Sequence, residues 1–163
     1  MVEFDEVAYN AASNLFHEAR RIRRSLPSLI AQVSDALDML QAQGYDERTS
    51  GGGDNRVERK TIQAIADNDA LLEKLHADQE HYREVALMCE TAIADMESHL
   101  EGDALDSNML RYYYMQDMSI PAVSRTIRKA DNGGSYYSEA WLYEKKDIAL
   151  VRVAAAVRRL GYV

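Results

Sequence analysis

Apolar residues recur at helical spacing along most of this chain of 163 residues. In the first arm Phe4, Val7, Ala11, Leu15, Ala19, Ile22, Leu26, Leu29, Val33, Leu37 and Leu40 follow at steps of three or four, which lines one side of a helix. Pro27 interrupts the run. It has no N–H to give the carbonyl four residues back, so the pattern predicts either two collinear helices, the second capped by Ser25, or one kinked helix. Gly44 is the expected end of this arm, and 44–55, with Gly51-Gly52-Gly53, reads as a mobile glycine-rich loop. It is no phosphate-binding loop, because the Gly-Lys-Ser/Thr ending and a preceding strand are both missing.

From 56 to about 100 there is no Pro or Gly, and the composition predicts one helix roughly 65 Å long at 1.5 Å per residue. Ile65, Leu72, Gln79, Ala86, Ile93 and Leu100 recur every seven residues, with Asn68, Leu75, Tyr82, Cys89 and Met96 three residues after the first five. That is an a/d seam with polar interruptions at Asn68 and Gln79. The simplest partner for it is the first arm, folded back as an antiparallel hairpin. Self-association along leftover seam, giving a homodimer through the long helices, is the rival.

Glu101-Gly102-Asp103 ends the long helix. A short helix over 105–115 follows, and its Tyr112-Tyr113-Tyr114 run forces at least one aromatic ring toward solvent or a partner. Ser119 is then placed to cap a helix carrying Ile120, Val123 and Ile127, with Pro121 confined to its first turn. Asp131-Asn132-Gly133-Gly134 breaks it. Ser138 opens the last periodic run, through Leu142, Ile148, Val151 and Ala155, and this stops before Gly161. Trp141 and Leu142 read as core. The pattern therefore predicts an all-α chain: a long antiparallel helical hairpin or coiled coil over 1–103, with its glycine-rich loop at 44–55, and a small helix-turn-helix domain over 104–163.

Composition narrows the class. The 47% apolar and 28% charged content belongs to a globular protein and excludes a disordered one. No apolar run approaches the roughly 20 residues of a membrane span, and the opening residues lack a secretory leader, so the expected location is cytoplasmic with no membrane partner. Cys89 is the one cysteine, which rules out an internal disulfide. The net charge of −8 conceals a split: residues 1–103 carry −11 and residues 104–163 carry +3. Such asymmetry is a compositional hint of nucleic-acid contact by the basic half.

Catalysis finds little support, and the expectation is a protein that is not an enzyme and needs no cofactor. His17, His76, His81 and His99 all fall on predicted helices. Glu73 and His76 have the Glu-x-x-His spacing of a di-iron bundle, but the second copy such a site needs is missing, so no metal is expected. Cys89 falls on the seam as a buried thiol. Arg20, Arg21, Arg23 and Arg24 form a basic knot before Pro27. Helix C-terminal charges complementing the macrodipole and pairing with acidic neighbours are its plainer account, and a phosphate patch is the other.

The last third carries the stronger pattern. Arg125, Arg128 and Lys129 close the first helix of the pair, Tyr136, Tyr137 and Ser138 precede the second, and Lys145 and Lys146 lie two turns into it. In helix-turn-helix docking the start of the second helix reaches base edges while flanking cations and hydroxyls hold phosphates. These eight residues are the candidate DNA-binding set.

The stretch LRYYYMQDMSIPAVS, Leu110 through Ser124, resembles the opening of the sigma-70 region-4-like domain of phage transcriptional regulators of the RinA/ArpU type. The helical arm, Gly-Gly-Gly loop and second long helix are also similar in layout to such proteins. The resemblance implies a bacteriophage protein that binds promoter DNA as a duplex and acts on late or packaging genes, with RNA polymerase or another host protein as a further partner. Two departures stand out: Ser124 where the pattern has Ala, and a turn over 129–137 several residues longer than the usual three or four. A different class fits the same chain, namely a phage-derived helical interaction module that inhibits a host factor, its acidic arm mimicking nucleic acid.

Overall fold

The computed structural model describes residues 3–49, 55–128 and 134–163, with the side chains of 43–49, 55–58, 60 and 61 excepted. It is all-α, and no β-strand occurs among the described residues. Five α-helices follow in order: α1 (Glu6–Thr49), α2 (Asn55–Ser98), α3 (Ala104–Met109), α4 (Ile120–Thr126) and α5 (Glu139–Arg159). A π-helical turn, Leu110–Met115, continues α3. Among the described residues no helix is long and apolar enough to cross a membrane.

Helix α1 corrects two expectations. It runs unbroken through Pro27, so there is one helix and not two, and it passes Gly44 to end at Thr49. The glycine stretch 50–54 lies outside the described residues. Neighbouring turns carry α1 past the bond that Pro27 removes, because Leu26 and Leu29 on either side are buried.

The chain forms two compact units: Met1–Arg23 with Tyr82–Val163, and Arg24–His81. In the second, Leu26, Leu29, Val33, Leu75 and Asn68 are buried, whereas Ile62 and Ile65 are exposed. In the first, Ala8, Ala12, Phe16, Ala19 and Ile22 of α1 are buried, as are Val85, Cys89, Ala92, Ile93 and Met96 of α2. Of the two heptad rows read from the sequence, the Asn68, Leu75, Tyr82, Cys89, Met96 row is buried except at the half-buried Tyr82. The Ile65 row is peripheral except at Ile93, and Leu100, beyond the end of α2, is 90% exposed.

The short helices are set by their caps. Asp103 accepts from the Asp106 amide at 2.8 Å, and Asp106 returns the contact to the Asp103 amide at 2.9 Å, a reciprocal box that starts α3. The single helix expected over 105–115 changes pitch at Leu110, where successive bonds widen: the Gln116 amide reaches the Arg111 carbonyl and the Met118 amide the Tyr112 carbonyl. Tyr114 is thereby turned inward against Phe16, while Tyr112 and Tyr113 stay half-buried. Tyr82 of α2 donates to the Met115 carbonyl at 2.7 Å and closes the end of the π turn. Ser119 caps α4 by accepting from the Ala122 amide, and Ser138 caps α5 by accepting from the Trp141 amide.

Candidate nucleic-acid interface

Helix α5 packs against α3, the π turn and α4. Its inward stripe is Leu142, Ala149, Leu150, Val153, Ala156 and Val157. The stripe expected from the sequence is off register after Leu142, since Val151 and Ala155 are exposed and Ile148 is half-buried. Trp141, expected in the core, is 38% exposed, and Tyr143 is 52% exposed.

Lys145 departs furthest from expectation. Its side chain is 3% exposed, and its ammonium lies 2.9 Å from Asp103 Oδ2 and 3.0 Å from Asp106 Oδ1. An ammonium enclosed by two carboxylates is not presented to a phosphate, so Lys145 leaves the candidate surface. Arg152 adds a bond to Asp106 Oδ2 at 2.6 Å. The group is an internal lock between the start of α3 and the middle of α5. Burial works to raise the Asp103 pKa, but the hydrogen bonds from Lys145 and the Asp106 amide outweigh it and hold the carboxyl below the usual range. Nothing in the helical period signals this pairing, because the partners are about forty residues apart in sequence.

Lys146 is half-buried, bonded to Asp147 at 2.9 Å, with its ammonium 5.7 Å from the Tyr113 ring centroid. Arg125 is exposed. Arg128 is exposed too; its guanidinium donates to the Tyr136 hydroxyl at 2.9 Å and lies 5.0 Å from the centroid of that ring. Arg128 and Tyr136 also form an antiparallel backbone bridge. Tyr137 is half-buried, and its carbonyl accepts from Ser124 Oγ at 2.9 Å. Lys129, and the turn residues Asp131 to Gly133, lie outside the described residues.

Ser124 and the long connection each make contacts of their own. Ser124 supplies a hydroxyl that an alanine lacks, and it joins the end of α4 to the residue before the α5 cap. The lengthened connection is closed at its base by that bond and by the Arg128–Tyr136 bridge. The structure therefore groups Arg125, Arg128, Tyr136 and Ser138 around the connection and the start of α5, puts Lys146 two turns further on, and withdraws Lys145.

The exposed face of the first half of α5 also carries Glu139, Glu144 and Asp147. Its local charge is mixed, not cationic. Elsewhere Asp95, His99 and Glu101 bring ligand atoms within 4.8 Å of one another, but Arg159 already donates to both carboxylates. Comparison with protein-family models, curated proteins and solved structures found no match.

Proposed function

We propose that this chain is a non-enzymatic, duplex-DNA-binding regulator of phage transcription, working in the cytoplasm of a bacterial host. In this reading α4 and α5 act as a helix-turn-helix, with the first turns of α5 entering the major groove. The observation that carries it is the exposure of the α5 start beside exposed Arg125 and Arg128, while Leu142 and the following stripe anchor the helix from behind. Trp141 and Tyr143 offer apolar contact to thymine methyls, and Glu139 and Glu144 offer acceptors to cytosine amino groups. Arg125, Arg128 and the Ser138 hydroxyl hold the flanking phosphates. The long helices form an antiparallel coiled-coil hairpin that joins two copies or meets RNA polymerase; the buried Asn68, Leu75, Cys89 and Met96 row supports the seam, and exposed Ile62 and Ile65 supply apolar surface.

Fluorescence anisotropy against phage promoter duplexes tests the reading. Binding should weaken with salt, and R125Q with R128Q should flatten the slope of log K on log salt by about 1.8, or ~0.9 for each phosphate no longer neutralised. Absence of binding at low salt removes the reading.

A second reading is favoured by the acidic rim. Glu139, Glu144 and Asp147 share the exposed part of α5 with Trp141 and Tyr143, on a helix whose Lys145 charge is turned inward. An acidic, aromatic face suits a basic groove on a host protein. A stoichiometric host protein that stays bound after nuclease treatment, with no duplex binding by the purified chain, supports this reading over the first.

A further inference from the structure

We infer that the phosphate-binding surface extends from the α4–α5 pair onto α1, where Arg23, beside Arg20, contacts the backbone of the same duplex; the inference rests on the DNA-binding reading above. Its starting point is the knot Arg20, Arg21, Arg23 and Arg24. The macrodipole account of that knot requires a helix end, because the favourable field falls off within the last turn. Helix α1 does not end there. It continues for more than twenty residues to Thr49, so mid-helix arginines gain nothing from a terminus.

Ion pairing explains Arg20 and Arg21 and does not extend to Arg23. Arg21 bonds Glu18, one turn back on α1. Arg20 bonds Asp117 at 2.8 Å, and its guanidinium carbon lies 3.7 Å from the centroid of the Tyr113 ring. Arg23 is exposed, and among the described residues its guanidinium meets the Tyr82 ring, 5.9 Å from the centroid, and no carboxylate. An exposed guanidinium without a carboxylate keeps its full charge and its bidentate donors for an oxyanion.

Position links this cation to the proposed interface. Tyr113 carries Arg20 and Lys146 on one ring, so α1 and the flank of α5 meet at that tyrosine. Tyr82, under Arg23, is bonded to the Met115 carbonyl at the end of the turn that holds Tyr113. Arg23 and Arg20 thus lie one turn apart on α1, and Arg20 and Lys146 meet on the Tyr113 ring. Asp117 and Asp147 offset the charges of Arg20 and Lys146, which makes Arg23 the member that adds net charge. A helix-turn-helix lays flanking elements on the backbones bordering the major groove, where cations add affinity without reading sequence.

The test is a salt titration of the full chain against a random-sequence duplex, comparing wild type with R23Q, R23K and R125Q. R23Q should lower the slope of log K on log salt by about 0.9, the value for one phosphate fewer neutralised, with R23K restoring it. Unchanged far-UV circular dichroism is expected, since the side chain is exposed. A wild type that binds, with a slope reduced by R125Q and untouched by R23Q, overturns the inference and leaves the DNA-binding reading standing. No binding by wild type at low salt overturns both.

Discussion

Lys145 and Asp106 show how much one buried pair decides. Asp106 is fully buried between an ammonium and a guanidinium, so removing the ammonium leaves a carboxylate with weakened compensation in a dry site. Lys145→Met should therefore destabilise the fold by about 3 kcal/mol, the lower end of the range for breaking a buried pair, because Arg152 remains. Urea denaturation measures this, and the duplex binding proposed above should not change in the folded fraction. Cys89 makes a second prediction. It is fully buried, and burial, helped by the neighbouring Glu90 carboxylate, pushes its thiol up to about 12. A thiol-specific reagent should leave it untouched in the native protein at pH 8 and label it fully in denaturant; rapid native labelling would contradict the burial.

Among the elements, the π turn is the one that periodicity misreads. A regular 3.6-residue reading carries 105–115 as one helix, yet three successive tyrosines cannot share one face, and the wider turn puts Tyr114 in the core while Tyr113 stays accessible to Arg20 and Lys146. Its last carbonyl depends on Tyr82. Tyr82→Phe removes that donor at constant shape, and a loss of about 1–2 kcal/mol in thermal or urea unfolding is expected. The caps Ser119 and Ser138 are legible from residue type and position, because a hydroxyl before a periodic run has few other uses. The register of α5 is not. Apolar residues occur on three of its sides, and only contact with α3 and α4 selects Leu142, Ala149 and Val153 as the inner ones. Residue type alone nominates the candidate cations but does not separate an exposed Arg125 from an enclosed Lys145; the separation comes from Asp103 and Asp106, far away in sequence.

For the whole molecule, the lock between α3 and α5 makes stability depend on acid. The Asp103 pKa is lower folded than unfolded, so its contribution is present above the ordinary carboxylate pKa of about 4 and is lost as pH falls through the folded value. Solvent exposure of Asp103 keeps that contribution small. Equilibrium denaturation at pH 7 and at pH 3 should show lower stability in acid, and a Lys145→Met background should show a shallower fall; equal slopes would remove the lock as the cause.

The unit that carries the candidate interface is interrupted in sequence: Met1–Arg23 belongs with Tyr82–Val163, and a different unit lies between them. Phe16 finds Tyr114, and Asp5 finds Arg158, only across most of the chain. A ribosome releases about 5–20 residues per second, so the first turns of α1 wait on the order of ten seconds for their partners. Until Tyr114 emerges Phe16 lacks the ring it packs against, and nascent chains halted before the π turn should be the ones that chaperones hold and proteases cut.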